Sequence, residues 1–139
     1  MPAFDISTVD INSLLTVDDP FAVYPTEEAL ELINTFEGTP SNLVWLLREL
    51  WYGGEKMVSA ANVEDYGEDY VEITFVTVGW SGNESLLGAL NRTVFEMRFW
   101  ESSHRGGKHV YRVRTEDWDK SSYLGDIRKH PGHTVSTEV

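Results

Sequence analysis

Two short stretches hold most of the side chains in this chain that could do chemistry at a surface. The first is Gly79-Trp80-Ser81-Gly82-Asn83-Glu84, which combines a hydroxyl, an amide and a carboxylate with two conformationally permissive glycines and a large aromatic ring. A strand that turns into a helix leaves unpaired N–H groups at the positive end of that helix, and an anion is stabilised there. The second is His104-Arg105-Gly106-Gly107-Lys108, in which two cations and a titratable ring flank a Gly-Gly pair. Arg105 offers a planar fork that can hold a phosphate or carboxylate through two parallel hydrogen bonds, a geometry that the point charge of Lys108 cannot copy. Ten residues, Trp80, Ser81, Gly82, Asn83, Glu84, His104, Arg105, Gly106, Gly107 and Lys108, therefore form the expected ligand-binding set. Each stretch also has a purely architectural reading, as a tight turn with a helix cap at Asn83 and as a solvated hairpin turn.

Catalytic and metal chemistry find less support. Ser81, Glu84, His104 and His109 are residue types suited to nucleophilic or acid–base work, but none is spaced as a recognised triad. No Asp or Glu pattern completes a metal site around His104 and His109, and His130 and His133 fall in a polar tail. The expectation is a non-enzymatic protein without a cofactor or a bound metal.

The charge distribution bears on what the loops could hold. The net charge is −12, yet residues 1–84 hold sixteen Asp or Glu against Arg48 and Lys56, giving −14. Residues 85–115 hold Glu96 and Glu101 against Arg92, Arg98, Arg105, Lys108, Arg112 and Arg114, giving +4. Such a chain is a poor non-specific nucleic-acid binder, while its basic segment can hold a particular anion or simply neutralise the acidic half.

The elements that must position these loops are legible in part. Thr26, followed by Glu27 and Glu28, suits a helix start, and Ala29, Leu30, Leu32, Ile33 and Phe36 give it an apolar face over about residues 26–37. Thr39-Pro40 begins a second helix, with Leu43, Val44, Leu46, Leu47, Leu50 and Trp51 at helical spacing before Gly53-Gly54. Residues 55–70 read as a loop or a short strand. Val71–Val78 is the strongest strand, ending at Gly79, and a short helix is expected over Ser85–Asn91. Thr93–Glu101 alternates as a second strand, Phe95, Met97 and Phe99 on one face, and pairs across the Gly-Gly turn with a third over His109–Arg114. Trp100 is expected to close the core beneath the turn.

These elements predict one α+β domain over residues 1–128: two N-terminal helices packed on a small antiparallel sheet of about three to four strands, with a short inserted helix. Residues 1–24 read as an irregular arm and 129–139 as a flexible tail. A chain of 139 residues buries roughly two-thirds of its unfolded surface, enough for one core. There is no cysteine, which excludes disulfides and thiolate metal sites and fits a bacterial cytosol. Neither an export signal nor a membrane span is apparent, so a soluble chain, monomeric or homo-oligomeric, is expected.

Gly-Trp-Ser-Gly-Asn-Glu, followed about twenty residues later by Ser-x-Arg-Gly-Gly at Ser103–Gly107 and then an aromatic strand, resembles a family of small uncharacterised proteins carried by phages, prophages and plasmids. The resemblance spans roughly residues 66–113. The family typically reads Arg-Gly-Gly-His-aromatic; here Lys108 stands where that His falls and His109 at the aromatic position, so no role of that His carries over. The resemblance implies a mobile-element origin and no defined activity. It makes the leading expectation an accessory protein that binds an anionic, nucleotide-like ligand or a host protein, with counter-defence as its role. An acidic nucleic-acid mimic acting through residues 1–84, and a phosphoester-processing enzyme using Glu84, His104 and Arg105, are the alternatives.

Overall fold

A computed structural model describes residues 9–17 and 23–129. Most of the expected arm and the tail from residue 130 onward lie outside these residues. The described part of the arm forms a 3-10 turn at Ile11–Leu14 and a small antiparallel pair, β1 (Leu15–Val17) with β2 (Val23–Pro25).

Both expected helix starts are built as capping chemistry dictates. In α1 (Glu27–Asn34) the Thr26 hydroxyl accepts from the Ala29 N–H at 3.2 Å, and Glu27 and Glu28 occupy the positive first turn. After β3 (Glu37–Gly38), α2 (Pro40–Leu50) starts with Pro40, while the Thr39 hydroxyl accepts from the Asn42 N–H at 3.1 Å. Its Leu43, Leu46 and Leu47 are fully buried, so this helix supplies the middle of the core.

Residues 55–70, read as a loop or a short strand, form a full-length strand and the start of the next. A single helical turn, α3 (Gly54–Met57), leads into β4 (Val58–Asp65), which turns at Tyr66-Gly67 into β5 (Glu68–Val76). Both turn residues have positive φ, 52° and 79°, the conformation that a two-residue hairpin requires. The chain then forms α4 (Ser81–Leu90), α5 (Val94–Phe99), β6 (Trp100–His104) and β7 (Lys108–Arg114). A four-stranded sheet results, fully antiparallel, in the order β4-β5-β7-β6.

Thr93–Glu101 is not the strand its alternation predicted. Phe95 and Phe99 also stand at i and i+4, and both are buried, while Met97 between them is 74% exposed. The Thr93 hydroxyl accepts from the Glu96 N–H at 3.2 Å and starts the helix, leaving only Trp100–His104 to pair with β7. The expected closure of the core by Trp100 is also corrected. It is 49% exposed at the sheet edge, and its indole N–H donates to the Ser103 hydroxyl at 2.9 Å.

One face of the sheet, carrying Val58, Val71, Ile73, Phe75, Tyr111 and Val113, is buried in the core with the helices. Aromatic rings join the layers: Trp51 lies 5.3 Å from Phe75, Phe75 5.4 Å from Tyr111, and Tyr111 5.4 Å from Phe95. The Trp51 indole N–H donates to the Val76 carbonyl at 2.8 Å, fixing the end of α2 to the end of β5. A last short strand, β8 (Ser122–Tyr123), pairs with β3 and clasps the end of the described chain to α1. There Leu124 N–H donates to the Phe36 carbonyl, Asp126 N–H to that of Asn34, and the Tyr123 hydroxyl to that of Asn34. The protein is thus mixed α+β, with five α-helices and three antiparallel sheets among the described residues. None of its described helices is long and apolar enough to cross a membrane.

Candidate functional site

The pairing of β5 with β7 sets the two glycine-bearing loops side by side. The Thr77 N–H donates to the Gly107 carbonyl at 3.0 Å, so the turn after β5 touches the turn between β6 and β7. Val78 and Gly79 have φ of 47° and 72°, and the Trp80 N–H closes the turn on the Thr77 carbonyl at 3.0 Å. Helix α4 starts directly at Ser81, four residues earlier than expected, with no side-chain cap on its first turn.

Asn83 has a different task from the cap that its type suggests. It is 1% exposed; its Oδ1 accepts the Tyr52 N–H at 2.8 Å, and its Nδ2 donates to the Tyr52 and Thr77 carbonyls at 3.3 and 3.4 Å. Gly82 is buried beside it, and Trp80 stacks on Tyr52 with ring centres 4.3 Å apart. Asn83, Gly82 and Trp80 therefore secure the start of α4 to the end of α2. Ser81, Glu84, His104, Arg105, Gly106 and Lys108 are the exposed members of the predicted set.

The turn is tightly built. Gly106 and Gly107 have φ of 87° and 81°, and a Cβ on Gly107 would come within 2.1 Å of the Thr77 hydroxyl oxygen. That oxygen is buried and has no hydrogen-bond partner among the described residues.

Electrostatics separate the cations into two groups. Arg112 bonds Asp65 at 2.8 Å and Glu72 at 3.0 Å, and Arg114 lies 3.4 Å from Glu68 and 3.8 Å from Glu116. These two are neutralised by the acidic part of the chain. Arg105 and Lys108 form no ion pair with any described residue. A cleft of about 440 Å³ at the other end of β7 holds Arg98, Arg112 and Arg114, but Asp65, Glu101 and Asp117 balance them. The glycine turn is the better place for an anion.

Beside that turn lies a contact that sequence reasoning missed. Ser103 stands opposite His109 across the hairpin, and its hydroxyl lies 2.8 Å from His109 Nδ1. The Trp100 indole also donates to this oxygen, so Ser103 joins the indole and the imidazole, and the direction of its bond with Nδ1 follows the tautomer of His109. Burial pushes the His109 pKa below its ordinary value, Glu84 pulls it up, and His104 pushes it down. His104 Nε2 lies 3.0 Å from the Ser102 hydroxyl. A serine hydroxyl beside an imidazole can exchange a proton with it, and the pair appears only because Ser102–His104, read as loop in the sequence, continue the strand and set Ser103 opposite His109.

A second polar contact lies deeper, where the Tyr111 hydroxyl donates to Glu96 at 2.5 Å. Burial raises the pKa of both groups, and the hydrogen bond moves them apart by raising Tyr111 further and lowering Glu96. This contact joins α5 to the sheet.

Comparison with known proteins gives no matching family model, no matching characterised sequence and no matching solved structure.

Proposed function

We propose that this chain is a non-enzymatic accessory protein of a mobile element that binds a phosphate-bearing, nucleotide-like anion between the start of α4 and the β6–β7 turn. The observation that carries the reading is the Thr77-to-Gly107 hydrogen bond, which sets an uncapped helix start beside a turn whose Arg105 and Lys108 have no carboxylate partner among the described residues. The helix start supplies N–H donors and positive potential, and Arg105 supplies a bidentate fork. The mobile-element origin, a bacterial cytosol as the working place, and counter-defence by sequestering a nucleotide rest on the resemblance of the two loop motifs.

The test is calorimetric titration with ATP and, separately, with inorganic phosphate. A charge-assisted contact contributes roughly 1.5–3 kcal/mol, so Arg105→Ala should weaken binding about tenfold or more. Arg105→Lys should recover only part of the loss, because it restores the charge without the fork. Unchanged affinity in Arg105→Ala, or no binding of either ligand at millimolar concentration, would refute the reading.

A further inference from the structure

Among the described residues no strand pairs with the outer edge of β4, and two contacts fix its backbone geometry. The Thr77 N–H bonds the Gly107 carbonyl, so at Thr77 the extension of β5 faces β7. Backbone direction alternates along an antiparallel strand, so Phe75, Ile73 and Val71 also face β7, while Thr74, Glu72 and Tyr70 face β4. Their partners Ser59, Ala61 and Val63 take up the ladder bonds of β4. Ala60, Asn62 and Glu64 therefore turn their N–H and C=O groups outward. The hairpin agrees, because a two-residue turn closes on a hydrogen-bonded pair, here Asp65 with Glu68, which has the same parity as Ser59, Ala61 and Val63.

Ala60, Asn62 and Glu64 are all exposed. Edge strands are ordinarily blunted by charged side chains, Pro or a bulge; Val58–Asp65 has no Pro, its register with β5 is unbroken, and its only charges, Glu64 and Asp65, stand at the hairpin end. Alongside runs a groove of about 340 Å³ between β4 and α2, lined by Val44, Trp45, Ala60 and Trp118 together with the charged Arg48 and Glu55. Both tryptophans remain partly exposed in it. Ala60 shares the parity of buried Val58, so its side chain lies on this helix-bearing face of the sheet. Further along, Glu64 stands directly opposite Asp69, and neither makes an ion pair with a described residue. Like charges placed opposite each other repel, and a cation beside them relieves the cost.

We propose that β4 and this groove dock an extended segment of a partner protein, which adds to the sheet as a fifth strand antiparallel to β4. The residue opposite Ala60 enters the groove against Trp45 and Trp118, and it is apolar. The residue opposite Glu64 lies four positions earlier in the segment, on the same face, and it is Lys or Arg. The recognised pattern is thus basic-x-x-x-apolar in an extended conformation, with main-chain bonds giving affinity and the two side chains giving specificity. A second copy of this chain fits less well, because β4 carries no basic residue to set opposite Glu64, and two chains of net charge −12 repel.

The probe is the peptide acetyl-Thr-Lys-Thr-Val-Thr-Leu-Thr-Thr-amide, titrated into the ¹⁵N-labelled full chain. Resonances of Ala60, Asn62 and the Trp45 and Trp118 indoles should shift. Replacing the peptide's Lys by Glu should weaken binding about tenfold or more. N-methylation of Lys, Val and Leu, whose N–H groups face β4, should abolish binding, whereas N-methylation of the intervening threonines should leave it within about twofold. Asn62→Pro, which removes an outward N–H and no ladder bond, should weaken binding without changing the circular dichroism spectrum. The proposal is overturned by absence of binding at 1 mM peptide, by equal sensitivity to both N-methylation patterns, or by a β4-mediated dimer that the peptide does not disperse.

Discussion

Replacing Gly107 by Ala isolates the closeness of the two loops in a single measurement, because its neighbour provides the control. Gly106 and Gly107 both have positive φ, 87° and 81°, and a residue with a Cβ held in that region loses roughly 1–2 kcal/mol. At Gly106 a Cβ would meet nothing within 4 Å, so Gly106→Ala should cost only that amount. At Gly107 the same atom would lie 2.1 Å from the Thr77 hydroxyl oxygen and 3.4 Å from the Thr77 Cβ. Thr77 is 1% exposed and its N–H is bonded to Gly107 itself, so the neighbour cannot move aside without loosening the loop contact. Overpacking of this kind adds roughly 1–3 kcal/mol, and the total for Gly107→Ala should reach about 2–5 kcal/mol. Urea denaturation followed by tryptophan fluorescence reads the difference as a midpoint shift, with slopes of about 1–3 kcal/mol per molar for a protein of this size. Because the clash is with the Thr77 side chain, Thr77→Ala combined with Gly107→Ala should be less damaging than the sum of the two by at least about 1 kcal/mol. Equal costs for Gly106→Ala and Gly107→Ala, within about 0.5 kcal/mol, would refute the claimed contact between the turns.

Other consequences are measured more simply. Leu47→Ala empties a fully buried site in α2 and should cost about 2–5 kcal/mol in the same denaturation assay. Asn83→Ala leaves the Tyr52 N–H without its acceptor and should cost about 1–3 kcal/mol. Hydrogen bonds from Arg128 hold the Asp126 carboxyl at about 2, below its ordinary 3.8. A depressed carboxylate contributes stability that is present above pH 4 and lost as the pH falls toward 2, so Asp126→Asn should flatten that part of the acid melting profile.

Elements whose caps and apolar period agree are readable in the sequence, as α1 and α2 show with Thr26 and Thr39 at their starts. The strand β5 is readable for the same reason, since alternation and β-branched residues coincide over Val71–Val76. The sequence misleads at Phe95, Met97 and Phe99, whose spacing satisfies a strand's period of two and a helix's i and i+4 together. Only burial, with Met97 out and both Phe residues in, separates the two. β4 gives no signal because it is an edge strand whose Ser59, Ala60, Ala61 and Asn62 are all exposed, so no alternation is demanded of them. At the candidate site the glycines and cations could be picked out, but the role of Asn83 could not, because its partners Tyr52 and Thr77 come from separate segments. The Ser103–His109 contact was hidden because Ser102–His104 carry no apolar alternation and read as part of the loop, although they pair with β7.

The clasp between β8 and β3 predicts an order of assembly for the molecule. Tyr123 and Asn34 lie 89 residues apart in sequence, yet their contact, with those of Leu124 and Asp126, seals the end of α1. A loop of that length adds little to the equilibrium cost of closure, which grows only with the logarithm of length. Its effect is kinetic. During synthesis α1 and α2 emerge long before the segment that covers them, and hairpins such as β4–β5 can form while the clasp is still missing. The core remains unsealed on one side until the residues around Leu124 have been made, so the last described tenth of the chain acts as a latch, and the amide protons of Leu124 and Asp126 should be the last to gain protection during refolding.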